Sequence, residues 1–213
     1  MKTLRYTSII AVAVATLAML ASQAKADVIP YPNIGTVDPP STITAVNTGV
    51  IDAWFYGYNA ADTDQVQIID VTTSTASGWF FVNNATTPGT EAAGILSVNA
   101  GDVLEFQLDD LTQGDILSSN PLNSPDGINH AYITPYSGGT IGSSTVPAGD
   151  FVGMEDRTIG QHSDLDYNDD QYIFDNIQSS PNPPVPEPGT LSLFGTGLLG
   201  LAGMLRYRFS KSR

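Results

Sequence analysis

The chain has 213 residues, with 8 lysines and arginines against 22 aspartates and glutamates, and a formal net charge of −14. This acidic balance excludes a basic surface that binds nucleic acid. The 41% of hydrophobic residues allow a packed core and exclude an acidic disordered tail, and the absence of cysteine excludes disulfides and thiolate zinc sites.

The charges are unevenly distributed along the chain. All 22 acidic residues lie between Asp27 and Glu187, where Arg157 is the only basic residue, so this stretch has a net charge of −21. In a compact fold, so many like charges without basic partners repel one another. We therefore expect a species outside the chain to offset part of this charge.

Residues 1–26 have the three parts of a secretory signal peptide. Lys2 and Arg5 precede an apolar run of about 12 residues, and Ala24 and Ala26 are the small residues expected before a cleavage point. The run is shorter than the roughly 20 residues that a membrane-spanning helix needs. We predict an N-terminal signal helix that is removed after Ala26.

Residues 27–178 predict a single all-β domain. Short segments with a period of two recur between Gly, Asn, Asp and Pro turns, and there is almost no helical periodicity. The candidate strands are Val50–Tyr58, Gln65–Val71, Trp79–Val82, Ile95–Val98, Val103–Leu108, His130–Tyr136, Phe151–Met154 and Gln171–Ile177. About eight antiparallel strands in a domain of this length predict a β-sandwich or jelly roll.

An aromatic run from Trp54 to Tyr58 allows two interpretations. Flat rings could stack on sugars, which would favour a carbohydrate-binding module. On an alternating strand, however, Trp54, Tyr56 and Tyr58 share one face and Phe55 lies on the other. We therefore favour ordinary core packing for these rings.

The segment from Asp150 to Asp175 contains eight of the 22 acidic residues. Within it, Asp164, Asp166 and Asn168 alternate as D-x-D-x-N, a spacing that lets a tight loop direct successive oxygens toward one point. Calcium takes about 6 to 8 oxygen ligands, and hard oxygen donors without sulfur select calcium over zinc or copper. We predict a Ca²⁺ site whose candidate ligands are Asp164, Asp166, Asn168, Asp169, Glu155 and Asp156.

The form of this site differs from an EF-hand. Asp169 occupies the sixth position, where an EF-hand loop needs glycine, and the residues that follow alternate like a strand. A site embedded in the β-domain is therefore the better interpretation. The alternative is a solvated acidic turn, because Asp and Asn accept hydrogen bonds from their own backbone.

The same segment resembles a known extracellular family. Gly153-Met-Glu-Asp156, the run from Ser163 to Asp169 and the upstream Asp126-Gly-Ile-Asn-His-Ala131 are similar to the DUF4114 type of β-domain. Met154 stands where that family has phenylalanine, a difference that leaves the acidic positions unchanged. The resemblance implies an extracellular location and a β fold but no particular activity.

The C-terminal part starts with a Pro-rich linker over residues 179–185. Residues 186–213 then combine Pro186-Glu-Pro188, a short apolar segment that predicts a C-terminal hydrophobic helix, and a basic end. This order resembles the PEP-CTERM sorting signal of Gram-negative bacteria. The resemblance implies export through the inner membrane, recognition of Pro186, Glu187 and Pro188 by an exosortase, and only transient membrane contact through the helix. It also implies delivery to the cell surface or the extracellular polysaccharide matrix.

The sequence therefore favours a non-enzymatic surface or matrix protein, associated with exopolysaccharide or biofilm and stabilised by calcium. A lectin-like carbohydrate-binding module is the first alternative. A glycan-active hydrolase is the second, since Glu155 and Asp166 could act as a carboxylate pair, but acids are so abundant here that some pair must occur at any chosen separation. The motifs GxSxG, HExxH and a phosphate loop are all lacking from the sequence.

Overall fold

The structure is a computed structural model that describes residues 29–180. Outside these residues lie the predicted signal peptide with Ala24 and Ala26, both predicted flanking helices, and the predicted sorting tripeptide Pro186-Glu-Pro188. Most of the predicted linker also lies outside them. No helix between residues 29 and 180 is both long enough and apolar enough to cross a membrane.

The described part of the chain is all-β. Its thirteen strands are β1 (Ile43–Ala45), β2 (Gly49–Tyr58), β3 (Asp64–Asp70), β4 (Thr75–Ala76), β5 (Glu91–Val98), β6 (Val103–Asp110), β7 (Asp115–Ser118), β8 (Ala131–Tyr136), β9 (Gly139–Ile141), β10 (Ser144–Val146), β11 (Gly149–Met154), β12 (Asp170–Phe174) and β13 (Ile177–Ser179). Two single 3₁₀ turns, Pro121–Asn123 and Ile159–Gln161, are the helical segments within this range.

The strands form two main antiparallel sheets. The first sheet has the order β13-β1-β6-β3-β4, and β7 also pairs with β6. The second sheet has the order β5-β2-β12-β11-β8, and β9 and β10 form a separate two-stranded ribbon. Because β12 pairs with β11 and β2 while β13 pairs with β1, the last residues of the domain contribute to both main sheets.

A single hydrophobic cluster contains side chains of both main sheets. From the first sheet it includes Val66 and Ile68 of β3 and Phe106 of β6, and from the second it includes Phe55 of β2 and Tyr172 of β12. The predicted alternation of Val103–Leu108 is confirmed on this side, since Leu104, Phe106 and Leu108 are buried. Glu105 on the other face is also buried. Its carboxylate is satisfied there, because Ser118, Asn120 and Asn123 donate hydrogen bonds to it.

The aromatic run lies in β2, where a bulge changes which side chains share a face. Phe55 pairs with Tyr172, and Gly57 pairs with the adjacent Gln171. Two steps along β2 therefore match one step along β12, and Tyr56 has no direct partner in the register. Tyr58 therefore lies on the face of Phe55, with the two ring centroids 6.3 Å apart. The prediction that Tyr58 shares a face with Trp54 is wrong for this reason.

Of the predicted strands that are wrong in extent, two are interrupted by a residue with a positive φ. Trp79–Val82 makes only an isolated bridge between Val66 and Phe80, because the neighbouring Phe81 has a φ of 52°, which an extended strand does not allow. Gln171–Ile177 is divided between β12 and β13, since Asn176 has a φ of 53° and turns the chain from the second sheet to the first.

The structure also contains short strands that the prediction of about eight strands lacks. These are β1, β4, β7, β9 and β10, each of two to four residues. Segments this short hold too few residues for a period of two to stand out from the surrounding turns.

Candidate metal centre

The acidic segment becomes a loop between two neighbouring strands. β11 ends at Met154 and β12 begins at Asp170, and these two residues are paired in the antiparallel ladder. The chain thus leaves and re-enters the sheet at the same point. This places Glu155, at the start of the loop, beside Asp169 at its end.

Glu155 organises the loop from the inside. Its side chain is fully buried, and one carboxylate oxygen accepts hydrogen bonds from the hydroxyl of Ser163 and, at 3.1 Å, from the backbone N–H of Leu165. The other oxygen accepts the N–H of Tyr167. Leu165 and Tyr167 have φ angles of 54° and 56°, so this left-handed backbone turns alternate amides toward one carboxylate, as in an anion-binding nest.

The loop also packs closely on the strand that precedes it. A Cβ atom at Gly153 of β11 would overlap the carbonyl oxygen of Tyr167, so only glycine permits this approach. The close contact and the nest together fix the position of the loop relative to the second sheet.

Three carboxylates converge where this loop joins β11 and β12. One oxygen each of Glu155, Asp164 and Asp169 lies within 4.8 Å of the others. Glu155 is buried, Asp169 is half-buried and Asp164 is exposed, so the group extends from the interior to the solvent. We call these three residues the outer cluster.

The outer cluster has dimensions that suit calcium. Two oxygens on one Ca²⁺ ion, each about 2.3–2.6 Å from it, are at most about 5 Å apart. A cavity of about 150 Å³ opens beside the cluster. Its lining includes the carboxylates of Asp156, Asp164 and Asp169, the side chains of His162 and Asn59, and the cationic Arg157. The donor set is all oxygen apart from the His162 ring, which matches a hard cation rather than zinc.

Burial and mutual repulsion raise the pKa values of two carboxylates in the outer cluster. Burial, followed by the charges of Asp156 and Glu155, raises the pKa of Asp169 to about 8. Burial also raises the pKa of Glu155, although the hydrogen bonds from Ser163 and Tyr167 act in the opposite direction. The carboxylates are therefore held together in their charged form only at a free-energy cost, which a bound cation would offset.

The remaining predicted ligands are placed differently. Asn168 donates its backbone N–H to Asp166 at 3.1 Å and its amide to the other oxygen of Asp166, while its own oxygen accepts from Asn59 at 2.9 Å. Asp156 lines the cavity and donates its backbone N–H to Asp169 at 3.2 Å. Of the D-x-D-x-N run, the structure brings Asp164 into the outer cluster and pairs the other two residues with each other.

Arg157 lies at the edge of the site, and it is not among the residues that the sequence predicts there. Its guanidinium is 2.8 Å from the carboxylate of Asp62 and 3.9 Å from that of Asp156. The sequence indicates that Arg157 has acidic partners, because it is the only basic residue in a stretch with a net charge of −21. Spacing could not show its partner, because Asp62 is distant along the chain.

Comparison with known proteins identifies one region of the chain. A family model described as the PEP-CTERM protein-sorting motif matches residues 184–208. This match confirms the predicted sorting motif, which implies an exported protein that an exosortase processes and delivers to the cell envelope or surface. No curated protein and no solved structure matches the chain significantly.

Proposed function

We propose that this chain is a non-enzymatic protein of the cell surface or extracellular polysaccharide matrix, with a calcium-stabilised β-domain. The observation that carries the proposal is the sorting motif at residues 184–208, which implies export and exosortase processing. The association with exopolysaccharide or biofilm, and the inner membrane of a Gram-negative cell as the place of export, extend what this motif implies.

The shared hydrophobic cluster supports a β-sandwich in which the two main sheets pack face to face. The resemblance of residues 153–169 to DUF4114-type domains supports the same extracellular setting. In this proposal the strands provide a rigid frame, and the loop that contains the outer cluster is fixed to that frame by Glu155 and Gly153.

Calcium at the outer cluster is supported by the convergence of Glu155, Asp164 and Asp169. Asp156 lines the same cavity and is the nearest additional donor in this proposal. Extracellular calcium sites commonly bind at about 10⁻⁴ to 10⁻³ M, so millimolar calcium would occupy such a site.

The placement of Glu155 argues against the hydrolase alternative. A general acid or nucleophile must reach the substrate, but Glu155 is fully buried and both its oxygens accept hydrogen bonds from the loop. Asp166, the other member of the considered pair, is engaged by Asn168. These contacts favour a structural role for both carboxylates.

A lectin-like module remains the second candidate, and exposed aromatic rings favour it. Tyr31, Tyr58 and Trp79 are each more than a third exposed, unlike the buried Trp54 and Phe55. Saturable binding of a defined oligosaccharide, lost in Trp79→Ala, would support this candidate over a purely structural role.

Processing and deletion test the proposal. Mass spectrometry of the surface or medium fraction is expected to find an N-terminus at Asp27 and no peptide beyond about residue 189. Deletion of the gene is expected to reduce cell aggregation or biofilm cohesion. A mature form that retains residues 191–213 would contradict exosortase release, and glycan turnover lost in Glu155→Gln would contradict the non-enzymatic assignment.

A further inference from the structure

The first described residues form a segment that packs on the second sheet, and we call residues 29–38 the strap. Ile29 is buried in a second hydrophobic cluster. This cluster also contains Trp54, Phe151 and Ile173. These side chains alternate along β2, β11 and β12 with side chains of the central hydrophobic cluster. The strap therefore begins on the opposite face of the second sheet from the central cluster.

Polar and aromatic contacts hold the first part of the strap on this face. The hydroxyl of Tyr132 on β8 donates a hydrogen bond to the carbonyl of Pro30. The hydroxyl of Tyr31 donates to the side-chain oxygen of Gln171 on β12 at 2.9 Å. The Tyr31 ring also meets Phe151 edge to face, with the ring centroids 5.7 Å apart. The strap is thus anchored to three strands of the sheet before it reaches the acidic loop.

The strap then turns against the loop that carries the outer cluster. The N–H of Thr36 donates to the carbonyl of Asn33 at 3.1 Å, and Gly35 at the third position of this turn has a φ of 81°. The N–H of Gly35 donates to the backbone carbonyl of Asp164 at 2.8 Å. The turn of the strap is therefore bonded directly to a residue of the outer cluster.

A second set of contacts fixes the end of the strap to the same loop. The N–H of Asp38 donates to the hydroxyl of Tyr167 at 2.8 Å, and the carbonyl of Asp38 accepts the side-chain amide of Asn129 at 3.0 Å. The Tyr167 hydroxyl in turn donates to the carbonyl of Asn129 at 3.1 Å. Tyr167 also donates its backbone N–H to Glu155, so the strap and the nest around Glu155 share a residue.

Asp164 depends on the strap more directly than the other members of the outer cluster do. Glu155 follows β11 and Asp169 precedes β12, and these two strands are paired, so the sheet itself holds both residues in place. Asp164 lies in the middle of the loop and is exposed. Its backbone is held by its neighbours' bonds to Glu155 on one side and by Gly35 of the strap on the other.

We propose that the strap is a positioning element of the outer cluster: its docking holds Asp164 in place for calcium, and bound calcium in turn holds the strap on the loop. Because the coupling between two binding events is reciprocal, each increases the other by the same factor, typically about 5- to 150-fold. Docking can affect calcium binding only if the outer cluster binds calcium, so the proposal rests on the proposed function.

The first test is calcium affinity, measured by titration calorimetry on the full chain after EDTA treatment and dialysis. Ile29→Ser removes the apolar anchor of the strap and is expected to weaken calcium binding about tenfold. Ile34→Ser is the matched control, since Ile34 lies in the same strap but is 72% exposed; it should bind calcium as wild type does. A strap that only stabilises the fold would lower the melting temperature of Ile29→Ser in EDTA without changing its calcium affinity, and that result would overturn the proposal.

A pair of substitutions at Gly35 tests the contact with Asp164 and keeps the proposal testable if Ile29→Ser does not fold. Gly35→Pro removes the N–H that Asp164 accepts and cannot adopt a φ of 81°. Gly35→Asn keeps this N–H, tolerates the left-handed backbone, and places its Cβ where no atom lies within 4 Å. We expect Gly35→Pro to weaken calcium binding about tenfold and Gly35→Asn to retain it. Wild-type affinity in Gly35→Pro would contradict the positioning of Asp164.

Amide hydrogen exchange measures the coupling in the opposite direction. Saturating calcium is expected to slow exchange in residues 31–38 about tenfold in wild type and to leave it unchanged in Asp164→Asn. If wild type binds calcium but exchange in the strap does not change, the coupling is wrong while calcium binding at the outer cluster stands. If wild type binds no calcium, the proposed calcium stabilisation is itself wrong, and the coupling is overturned with it.

Discussion

Asp164 is the exposed member of the outer cluster, and its position makes it the most direct test of calcium binding there. Binding to the native state stabilises by RT ln(1 + [L]/Kd), or about 2.7 kcal/mol at 100 times Kd. For a domain of this size, that gain raises the melting temperature by roughly 5–10 °C. We expect Asp164→Asn to lose most of the rise measured by calorimetry at about 10 mM calcium.

The control for this prediction is Glu91→Gln. Glu91 is exposed on β5, outside the outer cluster, and the substitution removes the same single charge. If the two variants respond alike, or if sodium at equal ionic strength reproduces the effect of calcium, charge screening explains the stabilisation and the outer site is wrong.

Glu155 tests the internal organisation of the same loop. Glu155→Gln keeps the shape of the side chain but replaces one acceptor oxygen by an NH₂ group, which faces the N–H groups that the carboxylate now binds. We expect the free energy of unfolding in EDTA to fall by about 2–3 kcal/mol in urea titrations. The loss in calcium should be larger, because Glu155 is also a member of the outer cluster. A loss no larger than that of Glu91→Gln would show that the nest contributes little.

At the scale of the elements, the turn between β12 and β13 directs the chain from one sheet to the other. The Asn176 side chain accepts the N–H of Asn47 at 2.8 Å and donates to the carbonyls of Asn47 and Val50 at 3.0 and 3.1 Å. Asn176→Val is expected to lower the free energy of unfolding by about 3 kcal/mol, because it removes these bonds and strains a left-handed backbone. Asn176→Gly should cost less, since glycine tolerates the backbone; equal losses in urea unfolding would contradict the role of strain.

The elements also show what the sequence could and could not predict. Alternation located β2, β3, β6, β8, β11 and β12 because each presents several apolar side chains to one core. The predicted strands nevertheless stopped one or two residues short of Asp64, Asp110 and Asp170, because aspartate beside a strand is typical of a turn. All three aspartates nevertheless lie in strands.

The outer cluster was predicted in composition but not in arrangement. Glu155 is a candidate because it follows the predicted strand Phe151–Met154, and the pairing of Met154 with Asp170 explains why it meets Asp169. The expectation that Asp164, Asp166 and Asn168 point to one site depended on spacing alone. Spacing does not reveal the left-handed backbone at Leu165 and Tyr167, which directs alternate amides to Glu155.

For the whole molecule, the concentration of buried acids predicts an unusual pH dependence. Burial raises the pKa of Asp38 and of Asp150 to about 6, and burial with neighbouring charges raises that of Asp169 to about 8. The unfolded chain releases these protons near pH 4, so between pH 4 and 8 the native state binds more protons. Stability without calcium must therefore fall as the pH rises through this range.

We expect the melting temperature in EDTA to decrease steadily from pH 5 to pH 8, and calcium to restore most of the loss at pH 8, where protons compete least for the carboxylates. Scanning calorimetry at constant ionic strength measures both profiles. A melting temperature in EDTA that is constant or rises with pH would mean that these carboxylates ionise normally in the folded state.

The pairing of β1 with β13 also makes both main sheets depend on the last residues of the domain. Ile43 pairs with Ser179, and β12 lies between β2 and β11, so neither main sheet is complete until the last residues of the domain have been synthesised. The sorting motif begins at residue 184, directly after this point. The chain therefore completes its sorting motif only shortly after the domain first becomes able to close.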